Sequence, residues 1–254
     1  MNNTYSTPWK RRNNGRPQPT IKLHEPQPEK WTARAGQIAQ QAHLYLISEH
    51  GQQQREYLEA RGISTAMVEH MNLGYNPMIR WEPCAQWGIV GDGKVCIPPG
   101  ITIPKYRTEN EVSRIRIRVD LERIEPDRRK DTPKYWLIKG SKSEPMILCP
   151  GERKAVVIVE TELDAMMIYE QAHDLITVIA LGSTTTRPDP GTHRHLKHSR
   201  RILVALDYDE AGYNAFEYYR KHYPQAVRWP PLTGKDSGDD YQSGVKIRAW
   251  IEAG

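Results

Sequence analysis

Acidic residues stand at three places in the second half of the chain where an apolar segment has just ended. They are Glu160, the pair Asp207 and Asp209, and a group that includes Asp236. A lone Glu there is typical of a helix start and a lone Asp-x-Asp of a turn, but ligands of a parallel sheet bind beyond its strand ends. Gathered carboxylates repel unless a cation neutralises them, and their hard oxygens are what Mg²⁺ prefers. The combination predicts a divalent-metal site.

Arginines alternate with apolar residues at Arg114, Arg116 and Arg118. A strand there places the three guanidiniums on one face, with the first and last roughly 13 Å apart at ~3.3 Å per residue. This spacing suits successive phosphates held by bidentate contacts. The alternative is an exposed edge strand protected by charge. In that case the substrate channel is expected at three lysines: Lys134, Lys139 and Lys142.

Aromatic residues follow directly after one of these lysines, in the segment 134–136, which reads KYW. Tyr135 and Trp136 could stack on bases beside the ammonium of Lys134. Burial of both rings in a core is an equally good interpretation of the same segment.

The charge is unevenly distributed along the 254 residues, whose formal net charge is +5. Residues 1–35 hold seven basic and two acidic side chains, and the remainder balances. Within that remainder, residues 105–142 carry twelve basic against seven acidic side chains, and residues 151–254 carry thirteen against fifteen. A basic block before a mildly acidic one suits a phosphate-binding surface beside a cation site. Solvated charge without a binding role is the alternative.

The composition argues against a secreted or membrane protein. Three cysteines, Cys84, Cys96 and Cys149, are odd in number and too widely spaced for a metal knuckle or a disulfide framework. The start of the chain lacks the apolar stretch of a signal peptide, and no apolar run is long enough for a membrane span. A soluble cytoplasmic protein that makes no membrane contact is therefore expected.

The elements of the first half predict a mixed α+β region. Residues 1–36, rich in proline and basic side chains, are predicted to form a disordered tail or linker. A helix is predicted over 37–61, closed by Gly62, and a second helix over 65–71 with Ser64 as its N-cap. Short alternating runs between 79 and 150 predict strands. We therefore assign 37–150 to an α+β basic N-terminal subdomain.

In the second half, apolar strands alternate with helices, which predicts crossover connections and a mainly parallel central sheet. We assign 151–254 to this α/β domain. Its strands are predicted at 155–159, 176–181, 202–206 and 226–229, and its helices at 163–171, 193–198, 211–222 and 245–253.

Three motifs of the α/β region resemble the TOPRIM signature. They are VIVE at 157–160 with Asp164 four residues on, LDYDEAG at 206–212, and the pair Lys235 and Asp236. The resemblance covers nearly all of residues 151–243. TOPRIM domains also occur in topoisomerases, recombination proteins and some nucleases, so the motifs imply a chemistry and leave the reaction open.

The flanking segments resemble the catalytic core of bacterial-type DNA primases, over roughly residues 40–254. The segment 235–240 and the C-terminal residues are most similar to primases of phages and mobile elements. The segments that carry the resemblance are YLEARGI at 57–63, LGY at 73–75, VCIP at 95–98, RIRIR at 114–118, PKYWL at 133–137, GS at 140–141 and LGSTT at 181–185.

The resemblance implies RNA-primer synthesis on single-stranded DNA from ribonucleoside triphosphates, with Mg²⁺ or Mn²⁺ as cofactor and a replicative helicase as partner. It makes Glu160 a metal ligand or general base, Asp207 and Asp209 the principal metal ligands, and Asp164 and Asp236 auxiliary ligands. The nucleotide- or template-binding residues would be Arg114, Arg116, Arg118 and Lys134, with Lys105, Arg107 and Lys142 as weaker candidates.

Two departures from the family pattern stand out. Thr161 occupies the position after Glu160 where the family usually has glycine. The N-terminal Cys/His zinc module of the family has no counterpart here, so no zinc site is expected; the module is absent, acts in trans or was removed from a longer chain. His193, His195 and His198 miss the i,i+4 pairing of a helical zinc site.

Two other functions remain open on the sequence. A TOPRIM nuclease or topoisomerase-like enzyme would use the same acids to cleave DNA. A non-catalytic DNA-binding replication adaptor would keep the basic residues without needing the acids. The complete acidic set, Glu160, Asp207 and Asp209, favours an enzyme over the adaptor.

Overall fold

The computed structural model describes residues 19, 27–108, 110–149 and 153–254. Within these ranges the chain forms eight α-helices, eleven β-strands and three sheets. No described helix combines the length and the apolarity that a bilayer-spanning segment needs.

The first helix, α1 (Glu29–Ile47), packs against the sheet of the N-terminal half. Trp31, Ala35 and Ile38 recur at helical spacing, and all three are fully buried. The indole of Trp31 also donates a hydrogen bond to the carbonyl of Lys139 at 2.9 Å. The prediction that disorder extends to residue 36 is therefore wrong for residues 29–36, because apolar side chains there are anchored in a core. Most of residues 1–26 lie outside the described residues.

The single helix predicted over 37–61 is interrupted by a short 3-10 turn (Glu49–Gly51) before α2 (Gln52–Ala60) begins. The chain turns so tightly at the break that Gly51 is required there, because a Cβ atom would lie 2.2 Å from the carbonyl oxygen of Leu46. Helix α3 (Thr65–His70) follows, and the Ser64 hydroxyl accepts the N–H of Met67, which confirms the predicted N-cap.

The N-terminal half contains an antiparallel four-stranded sheet in the order β1-β4-β5-β6 and a separate pair, β2 with β3. The arginines of residues 114–118 lie on β5, which is hydrogen-bonded on both sides. The edge-strand interpretation of this segment is therefore wrong. The bounds are β1 (Gly74–Asn76), β2 (Arg80–Pro83), β3 (Lys94–Ile97), β4 (Gly100–Thr108), β5 (Glu111–Val119) and β6 (Tyr135–Leu137).

The second half contains a five-stranded sheet in the order β11-β10-β8-β9-β7. The four strands that the sequence predicts run parallel, which confirms the mainly parallel sheet. The fifth, β7, pairs antiparallel with β9 and precedes residue 150, so the predicted domain boundary lies a few residues too late. The bounds are β7 (Met146–Leu148), β8 (Ala155–Val159), β9 (Ile176–Ala180), β10 (Arg201–Val204) and β11 (Ala226–Arg228).

Helices cover both faces of this sheet, so its central strand is apolar throughout. Val157 and Val159 of β8 face one apolar cluster, and Val156 and Ile158 face another. Helix α7 was not predicted from the sequence. The helices are α4 (Glu162–Ala172), α5 (Pro190–His198), α6 (Glu210–His222), α7 (Ser237–Gln242) and α8 (Ile247–Glu252).

The apolar core is continuous between the two halves. One cluster contains Leu46 and Leu58 from the N-terminal helices together with Val157 of β8 and Trp250 of α8. The first half is therefore fixed against the same face of the parallel sheet that carries α4 and α8, which holds the two halves in a defined relation.

Candidate active site

The carboxyl ends of β8 and β10 bring together the acids that follow them. Glu160 comes directly after β8, and its carboxyl is half-buried. Burial raises the pKa of Glu160, and the negative charges of Asp207 and Asp209 raise it further, whereas Arg116 opposes them. Burial is also the largest cause of the raised pKa of Asp207. The sequence predicts convergence of acids from three strand ends; in the structure Glu160 lies near enough to Asp207 and Asp209, from one other strand end, for their charges to act on it.

A lysine ammonium lies between two of these acids. The Nζ atom of Lys235 is 3.1 Å from Oδ2 of Asp207 and 3.4 Å from Oδ2 of Asp209. The backbone N–H of Tyr208 donates to the carbonyl of Lys235 at 3.0 Å, so the two loops are joined by their main chains as well. The hydrogen bond to Asp207 raises the pKa of Lys235, which stays charged. Lys235 partly neutralises the acidic edge.

Asp209 also caps a helix. Its Oδ1 accepts the backbone N–H of Gly212 at 2.9 Å, at the first turn of α6. This hydrogen bond is the main reason why the pKa of Asp209 is lowered. Asp209 is therefore an ionised carboxylate near neutral pH, with Oδ2 turned to Lys235 and Oδ1 fixed by the helix.

A second pair of acids, Asp164 and Asp236, lies beside the first group. Asp164 is buried in the first turn of α4, and Asp236 is the N-cap of α7. Burial and then the charge of Asp236 raise the pKa of Asp164 to about 7, although Arg61 lowers it. A Cβ atom at Gly238 would lie 2.5 Å from Oδ1 of Asp164, so only glycine fits between the acids and this helix.

Thr161 has a structural role that glycine could not fill. Its hydroxyl accepts the N–H of Asp164 as the N-cap of α4 and donates to Oδ2 of the same residue at 2.6 Å. The threonine therefore fixes both the start of the helix and the carboxyl of Asp164. The turn after Glu160 is held by a side chain at the position where the family usually has glycine.

Asp240 supports the loop that carries Lys235. It is fully buried, and Oδ1 accepts the backbone N–H groups of Thr233 and Gly234, both at 2.8 Å. Burial alone would raise its pKa, but these hydrogen bonds and a third, from Leu232, lower it. Asp240 is thus a structural anion, unlike the neighbouring acids at the strand ends.

The arginines of β5 differ from one another in burial and partners. Arg114 is 2% exposed, and its guanidinium lies 2.9 Å from Oε1 of Glu162 without an aligned hydrogen bond. Arg116 donates to Oε2 of the same carboxylate at 2.8 Å. Glu162 is fully buried at the start of α4. The prediction that Arg114 contacts nucleotide or template is wrong, because its guanidinium is enclosed in this ion cluster.

Sequence reasoning did not single out Glu162. The sequence feature that could have indicated Glu162 is an acid two residues after Glu160 in a chain whose strand β5 carries excess positive charge. Gly182 completes the packing, since a Cβ atom there would lie 2.9 Å from Nη1 of Arg116. The cluster joins the β5 arginines to the helix that follows Glu160.

Tyr135 lies against two of the arginines. The Arg116 and Arg118 guanidinium carbons are 4.3 Å and 5.1 Å from its ring centroid, within cation–π distance. The Tyr135 ring therefore already has packing partners. Trp136 packs against the apolar core of the N-terminal half. Both aromatic side chains are half-buried, so the structure lies between the two interpretations and base stacking stays a prediction.

The other predicted basic residues fall into two groups. Arg118 is half-buried and Lys134 exposed, and both line one cavity. Lys105 is held by Oε2 of Glu144 at 2.9 Å, and Arg107 forms an exposed pair with Glu111 at 3.6 Å. Lys142 is half-buried. The structure thus gathers Arg118 and Lys134 and separates the rest from them.

Comparison with known proteins matches both halves of this architecture. Residues 157–241 match the Toprim-like family. A DNA primase domain from Pseudomonas aeruginosa has a TM-score of 0.63 at 16% identity, covering 87% of this chain and 78% of that one. A DnaG catalytic domain bound to single-stranded DNA gives 0.63 at 16% identity, covering 89% and 81%. The chain has the fold of a DnaG primase catalytic core.

A third structure shows how much of a longer primase structure this chain matches. The Aquifex aeolicus primase, with its zinc-binding and RNA polymerase domains, gives a TM-score of 0.58 at 16% identity. The match covers 89% of this chain and 61% of that one, so the chain spans less than two thirds of that primase structure. No curated protein sequence matches the chain. The predicted primase resemblance is confirmed at the level of fold, and a Toprim-like domain is present.

The acidic edge of the Toprim-like domain has the donor chemistry for a divalent cation. The charges of Asp207 and Asp209 add to the burial that raises the pKa of Glu160, and the ammonium of Lys235 lies between Asp207 and Asp209. Among the described residues, however, no three His, Cys, Asp or Glu side chains are grouped closely enough to hold a metal. The ligand set that the resemblance implies, Asp207 and Asp209 with Glu160, is therefore not gathered as a ready metal site among these residues, and the ammonium of Lys235 supplies positive charge beside two of its members.

Proposed function

We propose that this chain is the catalytic core of a DNA primase, which joins ribonucleotides on a single-stranded DNA template. The observation that carries the proposal is the acidic edge formed by Glu160, Asp207 and Asp209 within a DnaG-type core fold. In the proposed reaction, the 3′-hydroxyl of one ribonucleotide attacks the α-phosphate of a nucleoside triphosphate. A new phosphodiester bond forms, the α–β phosphoanhydride bond breaks and pyrophosphate leaves.

The acids supply the proton acceptor and the cation site for this reaction. Glu160, whose pKa is raised by burial and by its acidic neighbours, can take the hydroxyl proton or share in holding Mg²⁺. Bound divalent cations would orient the nucleophile and stabilise charge on the leaving group. Asp207 and Asp209 would hold the cation, with Asp164 and Asp236 as auxiliary acids.

The basic residues bind the polyanionic partners. Arg118 and Lys134 are accessible to phosphate, whereas Arg116 acts near Glu160 through its charge. Lys105, Arg107 and Lys142 remain weaker candidates. The proposed partners are single-stranded DNA, ribonucleoside triphosphates and a replicative helicase, and the phage or mobile-element type remains part of the proposal.

One assay tests this function. The protein is incubated with labelled ribonucleotides, Mg²⁺ or Mn²⁺ and mixed-sequence single-stranded DNA, and product lengths are measured on a gel. Short RNA products that require both template and metal are expected. Repeating the assay with labelled DNA tests for cleavage: DNA fragments without RNA products would indicate a Toprim-type nuclease. Neither product, with DNA binding intact, would indicate a non-catalytic adaptor.

A further inference from the structure

Two neighbouring strands of the parallel sheet run from basic residues to acidic ones. Lys154 precedes β8 and Arg200 precedes β10, whereas Glu160 and Asp207 lie beyond the carboxyl ends of the same strands. The backbone N–H of Arg200 donates to the carbonyl of Lys154 at 2.6 Å, so the two basic residues lie side by side. Six residue steps of ~3.3 Å separate Lys154 from Glu160, which is roughly 20 Å. The amino edge of the sheet is therefore a second charged surface, separate from the candidate active site.

Helices α5 and α6 end at the same amino edge and add two lysines. Lys197 lies in the last turn of α5 and Lys221 in the last turn of α6. The side-chain amide of Gln225, just before β11, donates to the carbonyls of Leu196 and Ser199 at 2.7 Å and 3.2 Å, which ties the end of α5 to the sheet. The basic edge, as we name this surface, is defined by four exposed side chains: Lys154, Lys197, Arg200 and Lys221.

The four side chains of the basic edge form no ion pair with any residue that the structure describes, whereas nearby acids are already paired. Glu217 of α6 pairs with Arg220 at 2.6 Å, and Asp174, shortly before β9, pairs with Arg248 at 2.7 Å. A lysine in the last turn of a helix is stabilised by the helix dipole and needs no ligand. That reason does not apply to the two basic residues that precede strands. Like charges held side by side repel, and a polyanion would neutralise them.

The surroundings of the basic edge favour a duplex over a single strand. A single strand is held by stacking of its bases on aromatic rings as well as by charge. At this end of α6, the ring of Tyr218 lies 4.4 Å from the guanidinium carbon of Arg187 and 4.5 Å from the ring of His222, so it is already stacked. A duplex needs no rings, because it presents phosphates at its surface, about one charge per 1.7 Å of its axis.

We propose that the basic edge binds the phosphate backbone of double-stranded DNA without contacting the bases. Contacts of this kind position a duplex and carry no sequence information. Binding of a duplex does not depend on the proposed primase function, because the basic edge shares no residue with the candidate active site. Only the choice of DNA over an RNA–DNA hybrid rests on that function, since a hybrid made there would form at the opposite edge of the sheet.

The test is fluorescence anisotropy of the full chain with a labelled, blunt-ended DNA duplex, in EDTA and without nucleotides, over a series of salt concentrations. Two double variants, Lys154→Ala/Arg200→Ala and Lys197→Ala/Lys221→Ala, should each lower the log–log salt slope by about 1.8, because each phosphate contact contributes about 0.9. At about 0.1 M salt, each should weaken duplex binding by roughly 10- to 50-fold. Lys246→Ala is the matched control, because Lys246 is exposed at the start of α8 and forms no ion pair with a described residue. It should bind the duplex like the wild type.

Titrations with other polyanions identify the partner. Both double variants should bind an oligodeoxythymidylate like the wild type, and the wild type should bind an RNA–DNA hybrid no more tightly than the DNA duplex. The proposal is overturned if both double variants keep the wild-type affinity and salt slope for the duplex. It is also overturned if Lys246→Ala reduces them equally, since net charge alone would then explain binding. Tighter binding of polyglutamate than of the duplex would overturn it in favour of an acidic protein partner, and tighter binding of the hybrid would overturn the choice of DNA. Because the two double variants are independent, one of them keeps the test decisive if the other does not fold.

Primer synthesis separates this inference from the proposed function. Asp207→Ala should lose synthesis and keep wild-type affinity for the duplex, whereas both double variants should make primers normally on a short single-stranded template. If the wild-type protein makes no primers but the double variants lose duplex binding, the proposed function fails and the basic edge stands. If primers are made and the double variants bind the duplex normally, the opposite conclusion follows.

Discussion

Two glutamates, two positions apart in the chain, occupy opposite electrostatic environments. Glu160 faces other carboxylates at the sheet edge, and its pKa is raised. Glu162 is fully buried between Arg114 and Arg116. A carboxylate among carboxylates needs an added cation and is available for chemistry. A carboxylate enclosed by guanidiniums is already neutralised and stabilises the fold. Burial alone therefore does not distinguish a functional acid from a structural one; the sign of the neighbouring charges does.

The largest expected effect is on the acidic edge. Asp207→Ala or Asp209→Ala should reduce primer synthesis by about 100-fold or more, since metal-assisted charge stabilisation contributes several kcal/mol. Folding and DNA binding should remain largely intact. Asp174→Ala, which removes an exposed carboxylate paired with Arg248, is the control and should not change synthesis. Undiminished primer yield in both variants would contradict the assignment of Asp207 and Asp209 to the active site.

The buried ion cluster should respond in stability. Glu162→Ala leaves two guanidiniums buried without their anion and should lower the free energy of unfolding by about 3–5 kcal/mol. Denaturant unfolding measures this loss. Glu217→Ala, which breaks the exposed pair with Arg220, should leave the midpoint unchanged. Equal midpoints for the two variants would show that the cluster is not the structural junction inferred here.

The revised start of α1 gives a third prediction. Trp31→Ala should lower the free energy of unfolding by about 3–5 kcal/mol, because the indole is fully buried and its hydrogen bond to Lys139 is lost.

Deleting residues 1–26, which removes five basic and one acidic side chain, should leave the thermal midpoint unchanged and weaken DNA binding. A large loss of thermal stability on that deletion would show that residues 1–26 contribute to the folded structure.

Asp164 predicts a pH dependence of stability. Its pKa of about 7 in the folded protein exceeds the ordinary value near ~4 of the unfolded chain. The folded state therefore binds a proton more tightly, so this stability is complete below pH ~4 and is lost as pH rises to about 7, by at most ~1.4 kcal/mol per pH unit. Asp164→Asn should remove this slope in denaturant unfolding.

The control for that slope is Asp174→Asn, because the hydrogen bond to Arg248 lowers the pKa of Asp174 to about 2. That change should not alter the pH dependence between 4 and 7. Parallel stability curves for wild type and Asp164→Asn would mean that Asp164 ionises normally.

The smallest expected effect is that of Arg118→Ala, and it distinguishes Arg118 from Arg116 on β5. Arg118→Ala should reduce the salt dependence of single-stranded DNA binding by about 0.7 in the log–log slope or raise the apparent KM for nucleotide, with Lys restoring it partly. Arg116→Ala should instead lower stability, because Glu162 loses a partner. An unchanged slope and KM for Arg118→Ala would leave Lys134, Lys139 and Lys142 as the remaining candidates for the substrate channel.

Local patterns determined much of this molecule. The continuous apolar runs at β8, β9 and β10, separated by helical segments, predict a buried parallel sheet, since only a strand covered on both faces is apolar throughout. Strand-end positions then determined that Glu160 and Asp207 would meet, because parallel strands share one carboxyl edge. Ser64 was likewise predicted as an N-cap from residues close to it in sequence.

Tertiary structure decided what depends on partners distant in sequence. The alternation of Arg114, Arg116 and Arg118 predicts a shared face, but only packing against α4 brought Glu162 to two of them and left the third beside a cavity. Trp31 lies in a segment of low apolar content, and its burial required the sheet against which α1 packs. Local sequence sets backbone preference and which residues share a face, whereas the charge and burial of each side chain are set by whichever distant element packs against it.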